Sequence, residues 1–190
     1  MSLRIHGNRP LKTLPGQATR PTPARVREAL FNIWQPSSIT DCRWLDLCTG
    51  SGAMGAEALS RGAALVVGVE QSGRACAVIQ QNWQRIAKLG QQFKIIRADV
   101  VKALPALAGQ QFDRIYVDPP YASELYLPVL RAIAQNDLLA AEGEIAVEHK
   151  PNRWTTAEFE TLLEAIAPLR LMRQKIYGNT ALSFFSVSSG

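Results

Sequence analysis

The segment "LDLCTGSGAMGAEALSRG", residues 45–62, runs from an apolar stretch through a glycine loop into a helix-forming stretch. Gly50-Ser51-Gly52-Ala53-Met54-Gly55 is a G-x-G-x-x-G pattern. A strand over 44–48 would feed directly into Thr49, Gly50, Ser51 and Gly52, and a helix would follow from about Ala53 to Arg61, closed by Gly62 at a C-terminal cap position. Glycines there permit a tight turn and let a ligand approach the backbone N–H groups at the helix start. Glu70 stands 20 residues after Gly50, at the end of the next strand, where a carboxylate can accept both hydroxyl hydrogens of a ribose. On these residues NAD and S-adenosylmethionine fit equally well, and an ordinary strand-to-helix turn is the plain structural alternative.

Outward from the loop, apolar runs near 44–48, 65–70, 93–97, 112–117 and 144–149 alternate with helical stretches, the pattern of a parallel sheet covered by helices. Ser72 is placed to cap a helix whose Cys76, Ile79, Trp83 and Ile86 recur at helical spacing, with Gly90 ending it. The tail differs. Residues 169–177 and 181–187 are separated only by Gly178-Asn179-Thr180, too short for a parallel crossover, so they are expected to form an antiparallel hairpin. Upstream, Thr22-Pro23 predicts a helix start, with threonine as N-cap and proline first in the helix, followed by Val26, Leu30 and Ile33 and an end near Trp34, before Pro36. Residues 7–23 hold too many glycines and prolines for long elements, and 3–5 could pair with 11–14 as a small hairpin.

The chain has 190 residues, 47% of them hydrophobic and 19% charged, which suits one domain spanning 1–190 with residues 1–22 as a basic arm or hairpin. No apolar run approaches the ~20 residues of a membrane span, and the N-terminus lacks a signal-peptide pattern, so a soluble, cytoplasmic protein is expected. Cys42, Cys48 and Cys76 form neither a disulfide framework nor a zinc pattern, and His6 and His149 are far apart, so no metal is expected. Charge is unevenly placed. Residues 1–27 carry Arg4, Arg9, Lys12, Arg20, Arg25 and Arg27 and no acid, so the whole excess of +5 belongs to this arm, a candidate polyanion contact.

Two acids favour a cationic ligand in the loop. Asp46, four residues before Gly50, suits an ammonium group and would repel a pyrophosphate. Asp99, after the third strand, can accept from an adenine amine. Asp118-Pro119-Pro120-Tyr121 then closes the fourth strand, at the edge where open α/β sheets bind ligands. A carboxylate, two prolines of fixed φ and an aromatic ring make a holder for a planar amine: Asp118 and the Pro119 carbonyl accept its hydrogens and Tyr121 stacks on its ring.

The segments "RPTPARVREALFNIW" (20–34), "LDLCTGSGAMGAEALSRG" (45–62), Glu70, "VDPPY" (117–121) and "YGNTALSFF" (177–185) together resemble the class I methyltransferases, and more narrowly the RsmD family of bacterial small-subunit rRNA guanine-N2 methyltransferases. The resemblance implies a Rossmann-like α/β fold, a seven-stranded, mostly parallel sheet with helices on both faces and a C-terminal antiparallel hairpin. It implies S-adenosylmethionine held by Asp46, Thr49, Gly50, Ser51, Gly52, Glu70 and Asp99, and catalysis at Asp118, Pro119, Pro120 and Tyr121. The implied substrate is 16S rRNA, free or in an assembling 30S subunit, at the N2 amine of guanine-966 in the family's rRNA numbering, with Arg4, Arg9, Lys12, Arg20, Arg25 and Arg27 on the RNA. The arm between Ile5 and Arg20 looks shorter than the family's. Other amines (adenine N6, cytosine N4, a protein glutamine), a non-catalytic RNA-binding assembly factor and an NAD-dependent oxidoreductase are the rival readings. An ordinary Asp, with pKa about 3.9, would accept the amine proton after transfer rather than remove it beforehand.

Overall fold

The alternation of apolar runs with helical stretches is realised as nine strands and six helices in the computed structural model, which describes residues 3–13, 22–34 and 39–187. The chain forms two compact units, Met1–Asp99 and Val100–Gly190.

In the first unit, β1 (Arg4–Ile5) pairs antiparallel with β2 (Arg9–Pro10), and the Leu11 N–H donates to the Leu3 carbonyl at 2.8 Å. The hairpin is thus tighter than the expected pairing of 3–5 with 11–14. Gly7 and Asn8 adopt φ of 72° and 58°, which turns the chain back within three residues. Helix α1 (Ala24–Trp34) buries Val26, Leu30, Phe31 and Trp34, and Phe31 stacks on Trp44 of the first long strand at 5.1 Å. Ile33, expected in the stripe, is only half-buried because the aromatic contacts rotate the face toward Phe31 and Trp34. The Arg27 N–H donates to the Pro23 carbonyl, so Pro23 rather than Thr22 supplies the first helical acceptor.

Strands β3 (Arg43–Leu47), β4 (Leu65–Glu70) and β5 (Gln92–Arg97) are parallel. Helix α2 (Ala53–Ser60), buried along its whole length, ends as the sequence predicts: Ala63 N–H donates to Ala58 O and Gly62 N–H to Leu59 O, with Gly62 at φ 102°. Helix α3 (Gly73–Ile86) begins at Ser72, whose hydroxyl accepts from Ala75 N–H. It stops at Ile86, earlier than Gly90, because Ala87 turns to φ −57°, ψ 135°; Gly90, at φ 90°, instead serves the turn into β5.

The second unit contains α4 (Val100–Ala103), β6 (Phe112–Val117), α5 (Tyr126–Gln135), β7 (Leu139–His149), α6 (Thr156–Ala165), β8 (Leu169–Tyr177) and β9 (Thr180–Val187). Strand β7 is parallel to β6 and starts five residues before the expected 144, since an irregularity between Phe112 and Arg114 absorbs the polar Glu142-Gly143 step that hides the strand in the sequence. Strands β8 and β9 form the expected antiparallel hairpin. Tyr177 pairs with Thr180, so the loop is the two residues Gly178 and Asn179, with Gly178 at φ 62°. The long strands make a seven-stranded sheet of order β5-β4-β3-β6-β7-β9-β8, mostly parallel with this antiparallel pair at its end. Among the described residues, no helix is long and apolar enough to cross a membrane, and no cluster of His, Cys, Asp and Glu could hold a metal ion.

Candidate active site

The glycine loop lies between β3 and α2. Cys48, Gly50 and Gly52 adopt φ of 61°, 56° and 77°, a run of alternate left-handed residues that turns the chain sharply from β3 into α2. Glu70, at the end of β4, accepts from Gly50 N–H at 2.9 Å with one oxygen and from Ser72 N–H at 2.8 Å with the other. One carboxylate therefore fastens the loop to the start of α3. Asp46, 1% exposed, accepts from Gly55 N–H at 2.9 Å. Burial raises the proton affinity of its carboxyl well above the ordinary carboxylate range, the Gly55 bond opposes this, and the Glu70 charge adds to it. Thr49 is more structural than expected, since its hydroxyl reaches the carbonyls of Asp46 (2.8 Å) and Val69 (3.1 Å) and ties β3 to β4. Ser51 is half-buried, and Asp99 is exposed immediately after β5.

The base of this loop is formed by a residue that no motif in the sequence marks. The Trp83 indole N–H donates to the Gly52 carbonyl at 2.8 Å, and its ring lies where a Cβ on Gly55 or Gly68 would be, 2.2 and 2.6 Å away. The third glycine of the pattern is thus required by close approach of α3 to α2. The signal available was Trp83 on the buried stripe of α3, read only as core.

In the second unit, Asp118 and Tyr121 are half-buried, Pro119 is buried and Pro120 is exposed. The Tyr121 hydroxyl donates to Glu148 at 2.8 Å and lies 3.2 Å from the Thr180 hydroxyl. Glu148, 2% exposed, also accepts from the Tyr116 hydroxyl. The Tyr121 ring is therefore held from two strands, β7 and β9. Burial raises the phenol pKa of Tyr121, the Thr180 bond lowers it, and the Glu148 and Asp118 charges raise it further, so it stays neutral and remains a donor. Glu148 was unassigned in the sequence, and Thr180 belongs to the "YGNTALSFF" segment; neither spacing indicated that they meet Tyr121. His149 is structural: wholly buried, with Nδ1 donating to Lys150 O (2.7 Å) and Nε2 accepting from the Ser183 hydroxyl (2.8 Å).

The basic arm is divided. Arg4, Lys12 and Arg25 are exposed, Arg9 is half-buried, and Arg20 lies outside the described residues. Arg4 closes its own hairpin through the Asn8 carbonyl (2.9 Å), and Lys12 Nζ donates to Gln81 (2.8 Å). Arg27 corrects the expectation of a surface cation. It is 2% exposed, with Nε 3.2 Å from Glu57, which Arg61 also engages at 2.8 Å. Its charge is spent inside the protein.

A glycine turn after the first long strand, an acid ending the second, Asp-Pro-Pro-Tyr ending the fourth and a terminal antiparallel pair define the class I methyltransferase fold. The family model "Conserved hypothetical protein 95" matches residues 3–186. The chain is 34% identical over 178 residues to ribosomal RNA small subunit methyltransferase D of Escherichia coli K12, covering 93% of this chain and 82% of that protein. It is 30% identical over 161 residues to the protein of the same name in Haemophilus influenzae, covering 80% and 83%. Among solved structures, a hypothetical protein of Thermus thermophilus superposes with a TM-score of 0.77 at 28% identity, covering 97% of this chain and 99% of the other. SMU.776, solved "complexed with SAH", shares the fold at 16% identity with a TM-score of 0.66, covering 86% of this chain and 48% of the other. The chain belongs to the RsmD family.

Proposed function

We propose that this chain is a single methyltransferase domain that transfers a methyl group from S-adenosylmethionine to the exocyclic N2 amine of a guanine in 16S rRNA. The observation that carries the reading is Asp118-Pro119-Pro120-Tyr121 with Tyr121 fastened by Glu148 and Thr180, a pre-built holder for a planar amine. Its presence in a chain so similar to proteins named ribosomal RNA small subunit methyltransferase D supports rRNA as the substrate.

The residues around the glycine loop fit the cofactor. Asp46 is a buried carboxylate whose charged form burial disfavours, and a neighbouring ammonium group would offset that. Glu70 spends one lone pair of each oxygen on Gly50 and Ser72 and keeps acceptor capacity for ribose hydroxyls. Asp46, Gly50, Gly52, Glu70 and Asp99 would hold it, with Thr49 and Ser51 shaping the turn. When bound it supplies an electrophilic methyl group on a sulfonium.

The chain's own work is positioning. Asp118 and the Pro119 carbonyl take the two amine hydrogens, which turns the nitrogen lone pair out of the ring and strengthens both bonds as positive charge develops there. Such orientation can supply on the order of 7–11 kcal/mol of the barrier. Asp118 accepts the proton after transfer. The exposed cations Arg4, Lys12 and Arg25, with Arg9, meet phosphates. The test is nucleoside analysis of free 16S rRNA and of partly assembled subunits from an unmethylated strain after incubation with the purified protein. N2-methylguanosine is expected; N6-methyladenosine, or methyl label only in protein, overturns the guanine assignment. Asp118→Ala should abolish transfer and leave cofactor affinity, read by titration calorimetry, within a few-fold.

A further inference from the structure

Six buried side-chain nitrogen and oxygen atoms among the described residues have no hydrogen-bond partner, and three of them belong to one cluster: the Ser123 hydroxyl, the Tyr126 hydroxyl and Arg153 Nε. Ser123 and Tyr126 follow Asp118-Pro119-Pro120-Tyr121 on the way into α5, and Arg153 follows β7. Contacts join the two segments. Arg153 Nη2 donates to the Ser123 carbonyl at 3.1 Å and to Glu124 at 3.0 Å, and the guanidinium lies 5.5 Å from the centre of the Tyr126 ring. Trp154 meets the Tyr126 ring edge-on at 5.2 Å.

Burying a hydroxyl or N–H without a partner is unfavourable, and native proteins keep few such groups. Three in two contacting segments, one of which leaves the amine holder through a Ser123 N–H to Pro120 carbonyl bond of 2.8 Å, call for a ligand. All three can donate, and Arg153 Nε can only donate. Glu148, the nearby carboxylate, already receives the Tyr116 and Tyr121 hydroxyls. Burial raises the Tyr126 phenol pKa, the Asp118 charge raises it further and the Arg153 charge opposes this, so the hydroxyl stays neutral and remains a donor.

We propose that Tyr126, with Ser123 and Arg153, is the specificity end of the base pocket, donating hydrogen bonds to the C6 carbonyl oxygen of a purine whose 2-amine rests on Asp118. The inference rests on the guanine-N2 reading and deepens it. Guanine presents an acceptor at C6, and adenine presents an amine there, which sets donor against donor. A site built to bond a substrate's polar group rejects an analogue lacking it far more strongly than an apolar pocket rejects a change of shape.

The test uses substrate RNA carrying either guanine or 2-aminopurine at the modified position. The analogue keeps the 2-amine and lacks the C6 oxygen. The wild-type protein should prefer guanine in kcat/KM by on the order of 100-fold. Tyr126→Phe should lower kcat/KM on guanine by roughly 10-fold or more and leave 2-aminopurine within a few-fold, so that discrimination collapses. Ser123→Ala should act in the same direction. Tyr126→Phe should also melt no lower than wild type, because the deleted hydroxyl has no partner to lose. Equal loss on both bases, or undiminished discrimination in both variants, overturns the proposal. Nucleoside analysis of wild-type product separates the two levels: N2-methylguanosine with unchanged discrimination removes only this inference, and N6-methyladenosine removes the guanine reading with it.

Discussion

Gly55→Ala tests whether the third glycine of the loop is required by Trp83. Gly55 has ordinary helical backbone, so alanine alone would favour the folded state by roughly 0.5–1 kcal/mol. The added Cβ, however, would lie 2.2 Å from Trp83 Cζ2, 2.8 Å from Cε2 and 2.9 Å from Cη2, while ordinary contact begins at 3.4 Å. The ring must therefore retreat by about 1.2 Å, the difference between 2.2 and 3.4 Å. It has nowhere to go. Trp83 is wholly buried, is met edge-on by Phe93 at 5.9 Å, and is bonded through Nε1 to Gly52 O. Overpacking costs about 1–3 kcal/mol, and breaking the indole bond with both groups still buried adds about 1–3 kcal/mol. Against the propensity gain, the net loss is roughly 1–5 kcal/mol. Urea unfolding followed by far-UV circular dichroism measures it, and the double variant Gly55→Ala/Trp83→Phe should lose less than the sum of the single variants by at least about 1 kcal/mol. A Gly55→Ala protein as stable as wild type would refute the packing account and leave the glycine explained only by ligand approach.

Three further outcomes follow from the structure. Arg27→Met should destabilise the protein by less than the roughly 3–5 kcal/mol of a wholly uncompensated buried charge, because Glu57 loses one of two cations and keeps Arg61; replacing both Arg27 and Glu57 by apolar residues should recover much of that loss in the same unfolding assay. Burial holds the His149 imidazole below its ordinary pKa, partly opposed by its Lys150 bond, so its contribution is complete above about pH 6.5 and is lost as pH falls toward the folded-state value. His149→Gln should accordingly flatten the fall in stability below about pH 6.5. Arg25→Glu should weaken RNA binding and reduce the log–log salt slope by at least roughly 0.7–0.9, whereas an unchanged slope removes Arg25 from the interface. A point substitution suits this test better than deleting the arm, since the hairpin supplies His6 N–H to Glu57 and the Lys12 backbone to Asn82.

Much of the fold could be read along the chain because its determinants are local. The helix stop at Gly62, the Ser72 cap and the turn at Gly178-Asn179 each depend on a few consecutive residues whose backbone preferences differ sharply from their neighbours'. The same holds for the candidate site: the glycine turn, Glu70 and Asp118-Pro119-Pro120-Tyr121 all stand at strand ends, which apolar periodicity locates. Contacts between distant segments were beyond such reading. Arg27 looked like one more cation of a basic arm, and only the packing of α1 beside α2 put Glu57 within 3.2 Å and turned it inward. Tyr121 was read as an aromatic platform, but what holds it comes from residues 27 and 59 positions away, brought together by the register of β7 against β9, where Glu148 pairs with Leu182. Trp83 reaches Gly52 across 31 residues. A helical or strand period says which face of an element is buried, and it carries no information about which side chain will meet it there; that is decided when elements with no sequence neighbours in common pack together.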